Sequence, residues 1–345
     1  MNNPASQTIR AVRCHEISDD IASVQLDTLE LAPPADDEVQ ISVRACAVNF
    51  PDLLMIQGKY QFAPPLPFAP GGEFAGDVIA VGSQVTEFAP GDRVVAGTRY
   101  GGFAEAVNAP VSAVKPIPGE LSYDKAASYG TAYLTAWVAL TVRGHLQAGE
   151  TLLVHGATGG VGMAAVDIGK HLGATVIATG GTDEKLAVVQ ARGADHVINY
   201  TQADGTLGGF REQVKSLTDG NGADVIYDPV GGSVFDESMR CINWGGRILT
   251  IGFTSGVWPK AAVNHILIKQ IAVIGVRAGE VGRRDPELGR RVREELYELL
   301  ASGSIDPYVC ARFPLEQAVD AMKMLEHRKV IGKVVVTVNE SAPPQ

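Results

Sequence analysis

From residue 9 to about residue 121 the apolar positions come in short runs broken by Gly and Pro. The runs Val39–Val48, Glu73–Val81 and Arg93–Ala96 read as strands, punctuated by turn signals such as Pro70-Gly71-Gly72 and Pro90-Gly91-Asp92. This spacing predicts a compact, mostly β, barrel-like unit. The texture changes near Tyr123. A helical stretch over Asp124–Arg143 leads into β/α alternation, with strands predicted at Thr151–Gly156, Thr175–Gly180, His196–Tyr200, Asp224–Val230, Arg247–Gly252 and Ile271–Val276. Helices such as Val161–Leu172 and Glu184–Arg192 fall between them. Strands rich in Val and Ile on both faces belong in a parallel sheet covered on both sides, and this alternation predicts a doubly wound dinucleotide-binding (Rossmann) fold. After Val276 the pattern reverts to two amphipathic helices, about Asp285–Ser302 and Leu315–Arg328, and a last strand, Gly332–Val338. That tail is too short for a domain and is expected to pack back onto the first unit. The predicted division is 1–127, 128–276 and a return segment 277–345, with residues 339–345 expected to be disordered.

Composition narrows the function classes. The 345 residues suit about two domains, and a formal net charge of -10 argues against nucleic acid or an anionic membrane as partner, since both require a basic face. A small-molecule substrate is the expectation. Cys14, Cys46, Cys241 and Cys310 lie far apart with no CxxC pair, which fits reduced, buried thiols. The N-terminus lacks the apolar core of a signal peptide, and no apolar run approaches the ~20 residues that span a bilayer. A soluble, cytoplasmic protein is expected.

The sharpest signal is the segment Leu152 to Val166. An apolar strand runs into Gly156-Ala157-Thr158-Gly159-Gly160-Val161-Gly162 and then into an Ala-rich helix. Glycines let the backbone turn sharply and approach a pyrophosphate, whose charge is favoured at a helix N-terminus. Ala157 stands where the usual fingerprint has its first glycine, so the strand–turn–helix context carries the assignment. The next strand chooses the cofactor. It ends Gly180-Gly181-Thr182 with no carboxylate to accept a ribose 2′-hydroxyl, whereas Lys185 follows one helical turn later and Tyr200 ends the next strand. A lysine and hydroxyls around a carboxylate-free turn suit a 2′-phosphate, hence NADPH.

Taken together, these segments resemble the quinone oxidoreductase (zeta-crystallin-like) branch of the zinc-independent medium-chain dehydrogenases/reductases. The likeness runs through Val48-Asn49-Phe50-Pro51-Asp52, Ile56-Gln57-Gly58-Lys59-Tyr60, Leu66 to Gly71, Pro90 to Val94, the Gly156–Gly162 loop, Gly193-Ala194-Asp195, Asp228 to Gly232 and Gly332-Lys333-Val334. The resemblance implies a Rossmann domain inserted in a mostly β, GroES-like catalytic domain. It further implies that Thr158, Gly159, Gly160 and Val161 cradle the pyrophosphate and that Gly181, Thr182, Lys185 and Tyr200 surround the 2′-phosphate. Gly252, Phe253, Thr254 and Ser255, with Gly275, Val276 and Arg277, would line the nicotinamide side. Lys333 would reach the cofactor phosphates, Asn49 and Thr131 would sit by the nicotinamide, and a homodimer or homotetramer would pair through Ile271–Val276.

Departures from zinc-dependent relatives set the expected chemistry. Those carry a Cys where Asn49 stands and a His-Glu pair where this chain reads Gly72-Glu73. Cys46 is off register and is read as core. No set of three or four Cys/His ligands can be assembled, so the site is expected to be metal-free. Without a metal to polarise a carbonyl, hydride is expected to go to an acceptor that is already electron-poor: a quinone first, or alternatively an enone or 2-enoyl thioester. Tyr60 is the candidate proton donor, since it resembles a tyrosine of 2-enoyl thioester reductases. Low aromatic content (6%) offers no obvious stacking platform for a large quinone. A low-activity, crystallin-like cofactor-binding protein is the remaining reading. His155, His171 and His196 are read as structural.

Overall fold

The computed structural model describes residues 6–202 and 204–338, so the expectation for residues 339–345 lies outside the described residues. The chain divides into two compact units, one ending at Thr131 and resuming at Pro307, the other Ala132–Asp306.

The first unit opens with β1 (Gln7–Arg13) and β2 (Gln25–Leu31), an antiparallel pair. It continues with β3 (Glu38–Ala47), α1 (Phe50–Ile56), β4 (Glu73–Val81), β5 (Arg93–Gly97), β6 (Ala106–Pro110), β7 (Val114–Pro116) and α2 (Tyr123–Ala126). Then α3 (Gly130–Trp137) begins. The single helix expected over Asp124–Arg143 is therefore broken into α2, α3 and a π-helical turn, Val138–Arg143. The break has a tertiary cause. A Cβ on Gly130 would stand 3.0 Å from Glu73 Oε1, and that oxygen accepts the Thr131 N–H at 2.9 Å, so the first turn of α3 starts on a buried carboxylate.

The second unit runs β8 (Thr151–Val154), α4 (Gly160–His171), β9 (Thr175–Gly180), α5 (Asp183–Ala191), β10 (His196–Asn199), α6 (Arg211–Leu217), β11 (Ala223–Asp228), α7 (Gly232–Cys241), β12 (Ile242–Thr250), α8 (Val263–Lys269), β13 (Ala272–Gly275), α9 (Ala278–Arg284) and α10 (Pro286–Ala301). Its six strands are all parallel in the order β10-β9-β8-β11-β12-β13, the doubly wound arrangement. Leu152, Leu153, Val154, Ile177, Val225, Ile226, Ile248 and Leu249 are fully buried, as strands covered on both faces must be. The order reverses between β8 and β11, and ligands of such sheets bind outside the strand C-termini at that point.

The chain returns to the first unit at Pro307 rather than at 277. Helices α9 and α10 stay with the second unit: Trp137 Nε1 donates to Glu295 at 2.9 Å, and α9 and α10 meet at Gly282 and Gly289, where a Cβ would come within 2.3 Å of backbone. The return consists of β14 (Val309–Pro314), α11 (Ala318–Glu326) and β15 (Lys333–Thr337). Both strands join the seven-stranded sheet β14-β15-β3-β4-β5-β7, in which β6 also pairs β3. Ala318, Ala321 and Met322 of α11 enter the same core as Ile41, Ile56, Phe74 and Phe103. Each such fully buried large side chain contributes roughly 1.5–3 kcal/mol. No described helix is long and apolar enough to cross a membrane.

Candidate functional site

In the second unit the end of β8 turns at Gly156, whose φ of +54° suits glycine. Gly159 is the N-cap of α4 and offers no side-chain cap, which leaves first-turn N–H groups for a ligand. Gly162 is obligatory, because a Cβ there would stand 2.3 Å from Gly156 O and 2.8 Å from Ala157 Cα. By contrast, a Cβ on Gly159 would meet only Gly156 O at 3.5 Å, and one on Gly275 would meet nothing within 4 Å. The loop is tight where helix meets strand and open where an anion would lie. Thr158, Gly159, Gly160 and Val161 are all half-buried along that opening.

The tip of β9 sits beside this cradle: a Cβ on Gly180 would be 3.1 Å from Thr158 Cγ2. Thr182 is the N-cap of α5, its hydroxyl accepting the Lys185 N–H at 3.4 Å. Lys185 is exposed. The Tyr200 N–H donates to Gly180 O at 3.1 Å, holding the two strand ends together. Thr201, which sequence reasoning missed, brings Oγ1 to 3.3 Å from where a Gly181 Cβ would stand. The carboxylate of Asp183 accepts from Asn199 Nδ2 at 2.9 Å.

Beyond β11 the segment after Asp228 is held by its own carboxylate, whose Oδ1 accepts the Val230 and Gly231 N–H groups at 2.8 and 2.9 Å. Burial raises the pKa of this group, and its Oδ2 has no partner among the described residues. The loop carrying Gly252, Phe253, Thr254 and Ser255 is tied to that segment, since Thr254 and Ser255 donate to Pro229 O and Val230 O at 3.0 Å each. Gly275 ends β13 and Val276 follows it, its N–H donating to Thr250 O at 3.0 Å; Arg277 ion-pairs with Glu280 at 3.2 Å. Every residue expected to bind cofactor from this unit thus lies at the C-terminal ends of its strands. His155 is structural: its nitrogens meet Thr179 and Ser238 hydroxyls at 2.8 Å each, and burial depresses its pKa to about 3.

Within the first unit a second cluster forms at one end of the sheet. Strand pairing sets Glu73 opposite Gly97 and Val335 opposite Ala47, so the end of β3 and the starts of β4 and β15 coincide there. Lys333 Nζ donates to Asn49 Oδ1 at 2.6 Å and lies 3.6 Å from Glu73 Oε2. Asn49 Nδ2 donates to the same Glu73 oxygen at 3.0 Å. The amide orientation of Asn49 is thereby determined, with its oxygen toward the ammonium and its nitrogen toward the carboxylate. The structure brings Asn49, Thr131 and Lys333 together through Glu73, which the sequence marks only as the neighbour of Gly72, where zinc-dependent relatives carry histidine. Lys333, expected to reach cofactor phosphates, is engaged in this cluster. Asp52 was also missed, although Asn49-Phe50-Pro51-Asp52 carries the signature of a capped helix start. It accepts the Asn49 N–H at 2.7 Å and the Gly71 N–H at 3.0 Å, and burial lifts its pKa to about 6. Tyr60 is partly buried against the barrel core, and its hydroxyl has no hydrogen bond among the described residues.

A zinc ion does not fit this cluster. Cys46 is fully buried between Gly71, Gly102 and Phe103, where burial pushes its thiol pKa up, and the Lys333 ammonium already supplies the positive charge beside Glu73. Among the described residues no group of three or more His, Cys, Asp or Glu is placed to hold a metal.

Comparison with known proteins agrees with this division of the chain. Residues 35–119 match the alcohol dehydrogenase GroES-like domain and residues 160–299 the zinc-binding dehydrogenase domain. The chain is 37% identical to quinone oxidoreductase-like protein 2 homolog of Nematostella vectensis, over 97% of this chain and 90% of that protein. Among solved structures, mycobacterial Rv1454c complexed with NADPH superposes with a TM-score of 0.84 at 31% identity, covering 95% of this chain and 99% of that one. CurK enoyl reductase superposes with a TM-score of 0.84 at 26% identity, covering 96% and 100%.

Proposed function

The chain belongs to the medium-chain dehydrogenase/reductase family of oxidoreductases, and from that premise we propose that it is a cytoplasmic, NADPH-dependent reductase of electron-poor acceptors, quinones first. The observation that carries the cofactor reading is the open cradle at Gly159 beside a β9 tip, Gly180-Gly181-Thr182, that itself carries no carboxylate, where Thr182, Lys185 and Thr201 are grouped. NADPH would supply the hydride. Thr158 to Val161 would hold its pyrophosphate, and Gly181, Thr182, Lys185 and Tyr200 its 2′-phosphate. Residues 252–255 and 275–277 would line the nicotinamide, and Asn49 and Thr131 would sit near it.

In this reading the Lys333–Asn49–Glu73 cluster acts by position. It holds a donor N–H of Asn49 in one orientation and starts α3 at Thr131. Preorganised dipoles of this kind favour charge that develops during transfer without having to reorient.

A second reading, reduction of enones or 2-enoyl thioesters, is favoured by Tyr60, whose hydroxyl is uncommitted among the described residues. Hydride addition to such an acceptor leaves an enolate that needs a proton at the α-carbon, and a positioned acid contributes about 10²–10⁴-fold to such a step. A hydroquinone anion takes its proton from water. Steady-state turnover of Tyr60→Phe with both acceptor classes separates the readings. A loss of at least about 10²-fold confined to enones and enoyl thioesters identifies the enoyl reductase, and a loss below about tenfold with rapid quinone turnover identifies the quinone reductase. No NADPH oxidation with any acceptor would leave the low-activity cofactor-binding protein.

For assembly we propose a homodimer, or a tetramer of such dimers, paired through β13. This strand is an edge of the parallel sheet, and in the segment that precedes it in the chain Trp258, Val263, Leu267 and Ile268 are each more than 70% exposed. An uncovered apolar edge invites pairing, and a two-fold axis lets β13 pair with its own copy antiparallel. Sedimentation of a purified monomer at micromolar concentration would refute it.

A further inference from the structure

The rim of the first unit carries a cation that the reading above leaves unused. Loop 98–102 is joined to the segment before Glu73: Thr98 N–H donates to Gly72 O at 2.8 Å, Gly101 N–H to Ala69 O at 2.8 Å and Gly102 N–H to Gly71 O at 2.6 Å. A Cβ on Gly72 would stand 3.2 Å from Arg99 O, so Arg99 lies one strand away from Glu73 at the sheet end that holds Asn49. Phe62 and Tyr100 stack here with centroids 6.1 Å apart and planes at 25°, and Phe68 meets Tyr100 edge-on. The Arg99 guanidinium carbon sits 4.5 Å over the Phe62 ring. The low aromatic content therefore conceals a local platform, because three rings are gathered at one rim.

Arg99 is exposed and makes no ion pair among the described residues, whereas Lys59, three positions before Phe62 in the chain, is paired with Asp19 at 2.7 Å. Stacking uses the face of the guanidinium and leaves its in-plane N–H donors open, the geometry that grips a carboxylate with two parallel bonds. On a chain of net charge -10, such a cation is a selective feature and not part of a general basic field.

We propose that Arg99, seated on Phe62, is a specificity-determining residue that recognises a carboxylate on the acceptor. The substrates it favours are conjugated keto acids or carboxylated quinones over their neutral counterparts. This rests on the reductase reading. For an enone acid the balance is 4-oxo-2-pentenoate plus NADPH and a proton giving 4-oxopentanoate and NADP⁺. One alkene carbon gains the hydride, the other gains the proton, and the carbon–carbon π bond is the bond lost.

The test compares 4-oxo-2-pentenoate with 3-penten-2-one, which carries a methyl where the acid has its carboxylate. The ratio of their kcat/KM values cancels differences in intrinsic reactivity when it is compared between enzyme variants. Arg99→Met should lower that ratio about tenfold, mainly through KM of the acid, as expected for loss of a charge-assisted pair at an exposed site. Arg99→Lys should recover part of it, and Phe62→Leu should lower it by loosening the arginine. A ratio unchanged within twofold in Arg99→Met overturns the proposal. If the wild type turns over neither acceptor, the reductase reading fails on its own. Titration of 4-oxopentanoate into the NADPH-loaded protein then decides: weaker binding to Arg99→Met supports the carboxylate site, and equal affinity overturns it.

Discussion

Replacing Lys333 by methionine measures how far the polar cluster at the sheet end depends on its cation. Lys333 and Glu73 are 5% and 3% exposed, with Nζ 3.6 Å from Oε2. At an effective dielectric of about 20, unit charges at that separation attract by about 4–5 kcal/mol, which offsets the cost of desolvating both ions. Methionine keeps most of the apolar stem, so the change isolates the charge. Removing one partner of a buried pair costs about 3–5 kcal/mol, because the other ion stays desolvated. Glu73 would still accept from Asn49 Nδ2 at 3.0 Å and from Thr131 N–H at 2.9 Å, which places the expected loss near the lower end, about 3 kcal/mol. Glu73→Gln alone should cost about 2–3 kcal/mol, because it leaves the ammonium buried with Asn49 Oδ1 as its retained acceptor. The double variant should cost less than the sum by about 2 kcal/mol or more, since neither charge remains. Urea unfolding of the full chain and its three variants, followed by circular dichroism, supplies the cycle. Single losses of about 1 kcal/mol or less that simply add would show that the pair is solvated and that the buried-cluster argument is wrong.

Further expectations concern the cofactor, the metal and pH. Lys185→Ala should weaken NADPH binding by about tenfold or more while barely changing NADH; equal losses in fluorescence titrations of both cofactors would remove Lys185 from the 2′-phosphate pocket. Exhaustive chelation should leave turnover unchanged, and stoichiometric zinc whose removal abolishes activity would contradict the donor-set argument. His155 is neutral and buried in the fold, with its pKa depressed from 6.5 to about 3. Its contribution to stability is present above pH 6.5 and is lost as the pH falls toward 3, at about 1.4 kcal/mol per unit. His155→Phe should therefore lose stability less steeply between pH 6.5 and 4.5 than the wild type, and parallel slopes in denaturant unfolding would refute the assignment.

Local pattern alone determined much of this protein. The alternation of fully apolar strands with helices announced the parallel sheet, because strands buried on both faces carry no polar period. The Gly156–Gly162 loop announced the cradle, because glycine is required wherever strand, turn and helix approach as closely as Gly162 does to Gly156 O. Asn49, Thr131 and Lys333 could be named by resemblance, yet their relation could not. They meet through Glu73, which stands 24 positions from Asn49 in the chain, and a lone carboxylate at a strand start gives no periodic signal of its partners. Tertiary structure likewise decided where α3 begins, since Glu73 accepts the Thr131 N–H across the fold. It also decided where the chain returns, since α10 is an amphipathic helix that could have covered either unit until Glu295 met Trp137 of the second, with α9 packed on it at Gly282 and Gly289. The same holds for the Phe62–Tyr100–Arg99 rim. Aromatic count is a property of composition, whereas a platform exists only where strand pairing brings distant rings to one edge.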